Sequence, residues 1–306
     1  MKTEELNRLT EQLRSQLTGD RDLDRSVLLE WADRYRGQEE AGPLLREIGL
    51  LLFQLDQKDI EPLTQQIVDQ MIQQGEQAFT QATERIAAGD FAEALNILTP
   101  VLEEIDDYPL SEDCLWMDFN SFLDGLLYED FFREEIGERE VMRHPLHPAS
   151  VLYAHATALF GLERFDEARE DLERLVSLDP VCPEYLCALA DAYLHTGSIP
   201  DAWDALNWAL VCASTQEEAA YSYYLLAQCC IAQESWNDAS ILLRKSLRVH
   251  PSPEAEETLA QLTQQTGTTA ESTDEAVNHR CQELEIPTGR SEVVEQNMEF
   301  LASLQL

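Results

Sequence analysis

The sequence is poor in basic residues. Among 306 residues there are 21 lysines and arginines, and only Lys2, Lys58 and Lys245 are lysines. Aspartate and glutamate total 59, so the net charge is −38 and the isoelectric point is near 4.2. A surface with this charge repels phosphate backbones and anionic lipid heads, which argues against nucleic-acid and membrane partners. Acid excess with so little lysine also occurs in high-salt environments, but we attribute it to solubility.

Other scarcities narrow the fold class. Glycine and proline number 12 each, which is too few for a turn-rich all-β protein. No apolar run approaches the roughly 18 residues that a membrane span needs, and the N-terminus is amphipathic rather than an apolar signal core. There are seven cysteines, an odd number, and their spacing is not that of a disulfide framework. They predict reduced, buried thiols in a cytoplasmic protein.

An internal repeat is present. Residues 149–180, 183–214 and 220–251 align on a 34-residue frame, with three extra residues in the loop Thr215–Glu218. Alanines recur at two equivalent places in each segment, where two antiparallel helices would need small side chains to approach closely. They are Ala156, Ala190 and Ala227 in the first helices and Ala168, Ala202 and Ala239 in the second helices. Pro180 and Pro251 would end the second helix of their segments.

This pattern resembles the tetratricopeptide repeat family. The resemblance covers about residues 75–265 and implies an all-α fold, a right-handed α-solenoid of helix-turn-helix repeats. It predicts units near 75–106, 149–182, 183–216 and 220–253, closed by a capping helix at 254–265. Ala94 and Ala168 lie 74 residues apart, two periods plus six, so we expect one diverged helix pair at 110–145.

The flanks carry weaker patterns. Residues 1–72 have apolar residues at helical spacing and predict degenerate helix pairs, with breaks at 18–20 and 42–43. Residues 266–290 are expected to be a flexible linker. Residues 291–306 predict an amphipathic C-terminal helix that either docks on the array or binds a partner.

No catalytic motif is visible: neither a nucleophile elbow, nor a phosphate-binding loop, nor a zinc-protease helix. The sequence therefore predicts a protein that is not an enzyme and needs no cofactor. His144 and His147 are the first metal candidates, but they are predicted to lie in a loop without ligand partners. His155 replaces an apolar residue of the repeat, and we expect a core histidine bonded to neighbouring backbone.

Two pairs of cysteines are further candidates for metal ligands. Cys182 and Cys187 span the start of a helix, and Cys229 and Cys230 point to different faces of one. Buried thiols are the favoured interpretation of both pairs, so no metal site is predicted. A DNA-binding regulator is also disfavoured, because residues 1–40 hold seven basic and ten acidic residues and no basic recognition helix.

The resemblance also implies a binding surface. In this family the first helix of each pair lines a concave groove, with residues at the second, fifth, ninth and twelfth positions facing it. In this sequence those positions hold Ser150, Tyr153, Thr157 and Phe160, then Glu184, Cys187, Asp191 and Leu194, then Tyr221, Tyr224, Gln228 and Ile231. The set is mostly apolar and aromatic, which favours an apolar helix or extended segment. Ordinary repeat packing, or occlusion by the C-terminal helix, would explain the same residues.

Related repeats grip an acidic peptide terminus with a clamp of Lys, Asn and Arg. Here Tyr153, Thr157, Cys187 and Asp191 occupy the clamp positions, so no cation is available for a carboxylate. We therefore expect a non-catalytic scaffold or adaptor whose protein or peptide partner has an apolar core and basic flanks. The alternative is a sensor whose groove binds a peptide under control of the C-terminal helix. The oligomeric state is left open.

Overall fold

The computed structural model of the chain describes residues 3–18, 21–35, 44, 48, 51, 57–111, 113–267 and 273–303. Helices dominate, and two four-residue strands interrupt them. In chain order the described elements are α1 (Thr3–Arg14), α2 (Arg21–Tyr35), α3 (Gln57–Ala87), α4 (Phe91–Asp106), β1 (Cys114–Met117), α5 (Phe122–Phe131), α6 (Arg133–Ile136), β2 (Glu140–Arg143), α7 (Ala149–Gly161), α8 (Phe165–Leu178), α9 (Pro183–Thr196), α10 (Ile199–Cys212), α11 (Gln216–Ala232), α12 (Trp236–Val249), α13 (Pro253–Thr266), α14 (Asp274–Glu283) and α15 (Glu292–Ser303).

Residues 1–71 and 72–306 form two compact units. In the first unit, the buried Asp24 joins α1 to α2 by accepting hydrogen bonds from the Thr18 amide at 2.6 Å and the Thr18 hydroxyl at 3.0 Å. The apolar residues at helical spacing form its core: Leu9, Leu13, Leu28, Trp31, Leu44 and Ile48. The predicted break at 42–43, and most of that at 18–20, lie outside the described residues.

In the second unit, the helix pairs α7–α8, α9–α10 and α11–α12 pack in sequence. The six repeated alanines are at most 1% exposed, as close helix approach requires. The second helices of the first and third pairs end at Leu178 and Val249, each two residues before the predicted proline. The all-α repeat solenoid expected from the sequence is therefore confirmed for these pairs.

One backbone turn repeats through the array. The residue between the two helices of a pair has left-handed φ: 76° at Gly89, 57° at Glu163, 80° at Gly197 and 59° at Glu234. The next amide then donates to the carbonyl five residues earlier, at 2.8–2.9 Å in all four pairs. The pair α3–α4 thus turns like the other three, although its first helix begins at Gln57 rather than near Gly75.

The segment 110–145 is not the expected helix pair. β1 and β2 lie side by side as a parallel two-stranded sheet, and α5 and α6 form the crossover between them. Ser121 caps α5 by accepting from the Asp124 amide at 3.1 Å, and Gly137, with φ of 60°, ends the one-turn α6. The prediction was wrong because it rested on interval length, and four-residue strands are too short to show an alternating pattern.

The insertion, residues 114–143, is fastened to the array by main-chain and side-chain bonds. The Asp118 amide donates to the Leu178 carbonyl at 3.0 Å, and the Asn120 amide donates to the Asp179 carboxylate at 2.8 Å. The buried Asp118 carboxylate accepts from the Ala149 amide at 3.0 Å, which satisfies an N-terminal donor of α7. The insertion therefore sets the start of the first repeat.

The C-terminal strap, residues 273–303, holds two helices. α14 lies within 266–290, where a linker was predicted, and α15 lies within 291–306, where an amphipathic helix was predicted. α14 packs on α12, burying Val277 and Cys281, and Arg280 makes two bonds to Asp238 at 2.7 and 3.0 Å. The prediction failed because Val277 and Cys281 are four residues apart and are too few to show helical periodicity by themselves.

The strap then returns to the insertion. Arg290 donates to the Ser214 carbonyl at 2.7 Å, and α15 packs on α5. Val294 is fully buried there, and the Asn297 side-chain amide Nδ2 donates to the Asp130 carboxylate at 2.8 Å. The C-terminal helix thus covers the insertion.

Candidate binding site

A pocket of about 760 Å³ opens between the first helices of the three repeats. Five of the expected groove residues line it, all from the second and fifth positions: Tyr153, Glu184, Cys187, Tyr221 and Tyr224. Their side chains come together because successive first helices present the same positions to one side of the array. The remaining lining residues are Pro183, Ala188, Thr215, Glu217, Glu218, Ala220, Ser246, His250, Pro251, Ser252, Pro253 and Glu254.

The walls of the pocket are aromatic. Tyr221 and Tyr224 lie with ring centroids 6.1 Å apart and planes inclined by 20°. Tyr153 is 5.6 Å from Tyr185, a buried ring behind it. Tyr221 is 49% exposed, so about half of this residue is accessible to a ligand. Cys187 is 2% exposed and its sulfur lies 3.4 Å from the Ser222 hydroxyl, so it forms a floor rather than a contact residue.

The rim of the pocket is acidic, and most of its glutamates were not predicted from the sequence. Glu217 and Glu254 are exposed residues in the first turns of α11 and α13, outside the groove positions. Glu218 is engaged by its own helix: its carboxylate accepts from the Ser214 amide at 2.7 Å and the Thr215 amide at 3.0 Å. First-turn glutamates after a Thr or Ser cap are the signal that would have located this rim.

The surroundings of the tyrosines affect their acidity. Burial, followed by the neighbouring Glu184 carboxylate, raises the pKa of Tyr153 well above its ordinary value. Partial burial, with Asp191 as the next contribution, raises the pKa of Tyr221 to about 12. Both hydroxyls therefore stay protonated near neutral pH, and the Tyr153 hydroxyl donates to the Glu184 carboxylate.

The ninth- and twelfth-position residues do not line this pocket. Phe160 instead packs near Phe165 and His195, with centroid distances of 5.4 and 5.7 Å, and the His195 ring lies 3.8 Å from the Asp191 carboxylate. Thr157 donates to the Tyr153 carbonyl within its own helix. Leu194, Gln228 and Ile231 are half-buried. The expected groove residues are thus divided: of the second- and fifth-position residues, all but Ser150 line this cavity, and those of the ninth and twelfth positions do not.

His155 has different partners from those expected. Its Nδ1 lies 2.6 Å from the Asp171 carboxylate and its Nε2 lies 3.1 Å from the Thr99 hydroxyl. The order Thr–His–Asp is that of a hydrolase triad, but Thr99 lies inside α4 and the next residue, Pro100, has no N–H to donate to an oxyanion. None of the three residues lines the pocket. The arrangement ties α4, α7 and α8 together, with side chains replacing the backbone partner that the sequence suggested.

The loop histidines also have structural partners. His144 is buried; its amide donates to the Met117 carbonyl at 2.6 Å and its Nδ1 accepts from the Leu146 amide at 3.2 Å. The His147 Nδ1 lies 3.1 Å from the Asp118 carboxylate, a partner that was not predicted from the sequence. Both histidines therefore secure the junction between β2 and α7.

Three other side chains lie close enough together to be considered as metal ligands. Within the described part of the chain, Asp124, Asp179 and Cys182 are buried with their ligand atoms all within 4.8 Å of one another. Burial raises the pKa of each group, that of Asp179 to about 7. A metal needs the deprotonated forms, which this environment disfavours. The group fits a protonated carboxyl pair beside a thiol better than a cation site.

No described helix is both long and apolar enough to cross a membrane. Of the cysteines, Cys182, Cys187, Cys212, Cys229, Cys230 and Cys281 are buried and unpaired, and Cys114 is half-buried. Burial raises the pKa of the vicinal thiols Cys229 and Cys230 to about 12, so these two are poor nucleophiles.

Comparison with known proteins agrees with the repeat geometry. A model of the tetratricopeptide repeat family matches residues 153–217, from the fifth position of the first repeat to the start of α11. The match covers 65 of the 306 residues and identifies tetratricopeptide repeats in this part of the chain. Such repeats generally mediate binding to proteins or peptides and are generally non-catalytic scaffolds.

Among solved structures, a tetratricopeptide repeat protein from Parabacteroides merdae is similar to this chain, with 18% sequence identity and a TM-score of 0.33. The alignment covers 85% of this chain and 98% of that one. The fold assignment rests on the repeat geometry and the family match rather than on this likeness. No curated protein matches the chain.

Proposed function

We propose that this chain is a protein-binding scaffold whose pocket between α7, α9 and α11 holds a segment of a partner protein. The observation that carries the proposal is the convergence of Tyr153, Tyr221 and Tyr224 on one cavity of about 760 Å³. Tyrosine supplies a large contact area at low cost in side-chain entropy and is enriched among residues that dominate binding energy. The cavity is large enough for several side chains of an extended peptide.

The partner that fits has an apolar core and basic flanks. Three aromatic walls favour apolar or planar groups, and the acidic rim together with a net charge of −38 favours cations. A helix or extended segment would meet successive first helices in turn, as in other helix-in-groove and extended-peptide complexes. Phosphate and anionic lipid are disfavoured by the same charge.

The alternative, a sensor switched by its C-terminal helix, needs that helix to reach the pocket. α15 packs on α5, and every residue that lines the pocket falls between Tyr153 and Glu254. The scaffold with an open pocket is therefore the function we place first.

The test is affinity capture from the native cell extract with the wild type and with Tyr221→Ala/Tyr224→Ala. We expect the double variant to recover the specific partners of the wild type in amounts about tenfold lower or less. Leu162→Ala is the matched control, because Leu162 is an exposed apolar residue that does not line the pocket. Equal recovery of the same partners by all three proteins would show that the pocket is not the binding surface.

A further inference from the structure

The pocket is an unusual meeting point of three helix N-termini. Pro183 and Glu184 open α9, Thr215 and Glu217 open α11, and Ser252, Pro253 and Glu254 open α13. A helix N-terminus carries partial positive charge from its unpaired amides and by itself favours an anion. Whether the pocket takes an anion or a cation depends on how far the local carboxylates outweigh those termini.

The carboxylates outweigh the helix termini. Each terminus is equivalent to about half a positive charge, so the three together amount to roughly one and a half. Four glutamates line the same cavity: Glu184, Glu217, Glu218 and Glu254. The net local charge is therefore roughly −2 to −3. Some N–H groups of these termini are also already bonded to capping side chains and cannot bind an anion. The Ala255 amide donates to the Ser252 hydroxyl, and the Glu218 amide donates to the Thr215 hydroxyl.

The first-turn glutamates stabilise their own helices, which explains one acid at each N-terminus. It does not explain why the three termini face a cavity walled by tyrosines. An aromatic face beside carboxylates is the environment that a guanidinium group prefers, because its plane stacks on the ring while its fork binds oxygens. Tyr221 is half exposed beside Tyr224, and Glu184 and Glu254 line the same cavity from the first turns of α9 and α13.

We propose that this pocket binds an arginine side chain of the partner segment, stacked on Tyr221 and paired with Glu184 and Glu254. The inference rests on the proposed function and sharpens it: a basic residue enters the cavity itself rather than only flanking it. Arginine is favoured over lysine because its planar group uses the aromatic wall and two carboxylates at once. The cavity volume leaves room for apolar neighbours of the arginine.

The test uses isothermal titration calorimetry at 150 mM salt with three acetylated, amidated pentapeptides: Leu-Leu-Arg-Leu-Leu and its central Lys and Gln analogues. We expect the Arg peptide to bind about tenfold tighter than the Gln peptide, with Lys between them. Glu184→Gln/Glu254→Gln should weaken the Arg peptide about tenfold or more and leave the Gln peptide unchanged.

The control is Glu170→Gln/Glu256→Gln, which removes the same number of charges at exposed positions outside the lining, one of them two residues from Glu254. It should change Arg-peptide affinity by less than about twofold. An equal loss of Arg-peptide affinity in the pocket variant and the control variant would show that overall charge, rather than the pocket, attracts the peptide, and would overturn the inference. Failure of the Arg peptide to bind the wild type would overturn it as well. If Arg and Gln peptides bind equally and Tyr221→Ala weakens both, the arginine inference fails while the proposed function stands.

Discussion

At the scale of single residues, the most unusual pair is Asp124 with Asp179. Both are buried, and the second accepts amide hydrogen bonds from Asn120 at 2.8 Å and Val181 at 3.4 Å. Burial and the neighbouring Asp124 raise the pKa of Asp179 to about 7, against 3.8 for an ordinary aspartate. The folded chain therefore holds a proton between about pH 4 and pH 7 that the unfolded chain has lost, and stability falls as pH rises through this window.

Replacing Asp179 with Asn should flatten the pH dependence of stability. Between pH 5 and pH 8 the wild type is expected to lose about 1–3 kcal/mol more free energy of unfolding than Asp179→Asn. Urea denaturation at several pH values measures this difference. Asp166→Asn, at a carboxylate 80% exposed, is the control and should follow the wild type. Parallel profiles for wild type and Asp179→Asn would contradict the shared-proton interpretation.

At the level of residues, the repeat frame predicted which side chains occupy equivalent positions, and their role in binding stays a prediction. Tyr153, Tyr221 and Tyr224 were predicted as groove residues because the frame gives them equivalent places, and the structure brings them to one cavity. Glu217 and Glu254 lie outside the expected groove positions, so the frame did not select them. The left-handed turns at Glu163 and Glu234 could not be predicted either, since glutamate rarely adopts that conformation.

At the scale of elements, helix pairs with intact alanine spacing were predictable and the insertion was not. β1 and β2 are stabilised as much by their surroundings as by their own sequences. Met117 packs with Leu127 and Val181, and its carbonyl accepts from the His144 amide. These contacts join residues far apart in the chain, which a local pattern does not encode. The same reason explains why α14 was predicted as part of a linker.

The docking of α15 should depend on one apolar contact. Val294 is fully buried among Met117, Leu127 and Tyr128, so Val294→Ala is expected to cost roughly 1–3 kcal/mol and to speed amide exchange in α15. Glu295→Ala, at an exposed neighbour, should change stability by less than about 0.5 kcal/mol. Urea unfolding with hydrogen-exchange mass spectrometry gives both readouts. Unchanged exchange in α15 after Val294→Ala would mean that other contacts hold the helix.

At the scale of the whole molecule, charge is the dominant feature. A net charge of −38 makes the folded chain repel itself, and mobile ions screen that repulsion. Raising sodium chloride from 20 to 500 mM is therefore expected to raise Tm by roughly 2–5 °C, measured by scanning calorimetry. Choline chloride should act equally if screening is the cause, and a sugar at the same osmolarity should act less. A flat or falling Tm would show that surface ion pairs outweigh the repulsion.

The bond between Asn297 and Asp130 joins residues 167 apart in the chain. During synthesis the insertion emerges before α15, so its apolar side stays uncovered while the eight described helices α7–α14 are made. The repeats can pack as they appear, because each meets the one before it. α15 thus completes the cover of the insertion, and a chain that stops before Glu292 would expose Leu127 and Tyr128 to solvent and to other unfinished chains.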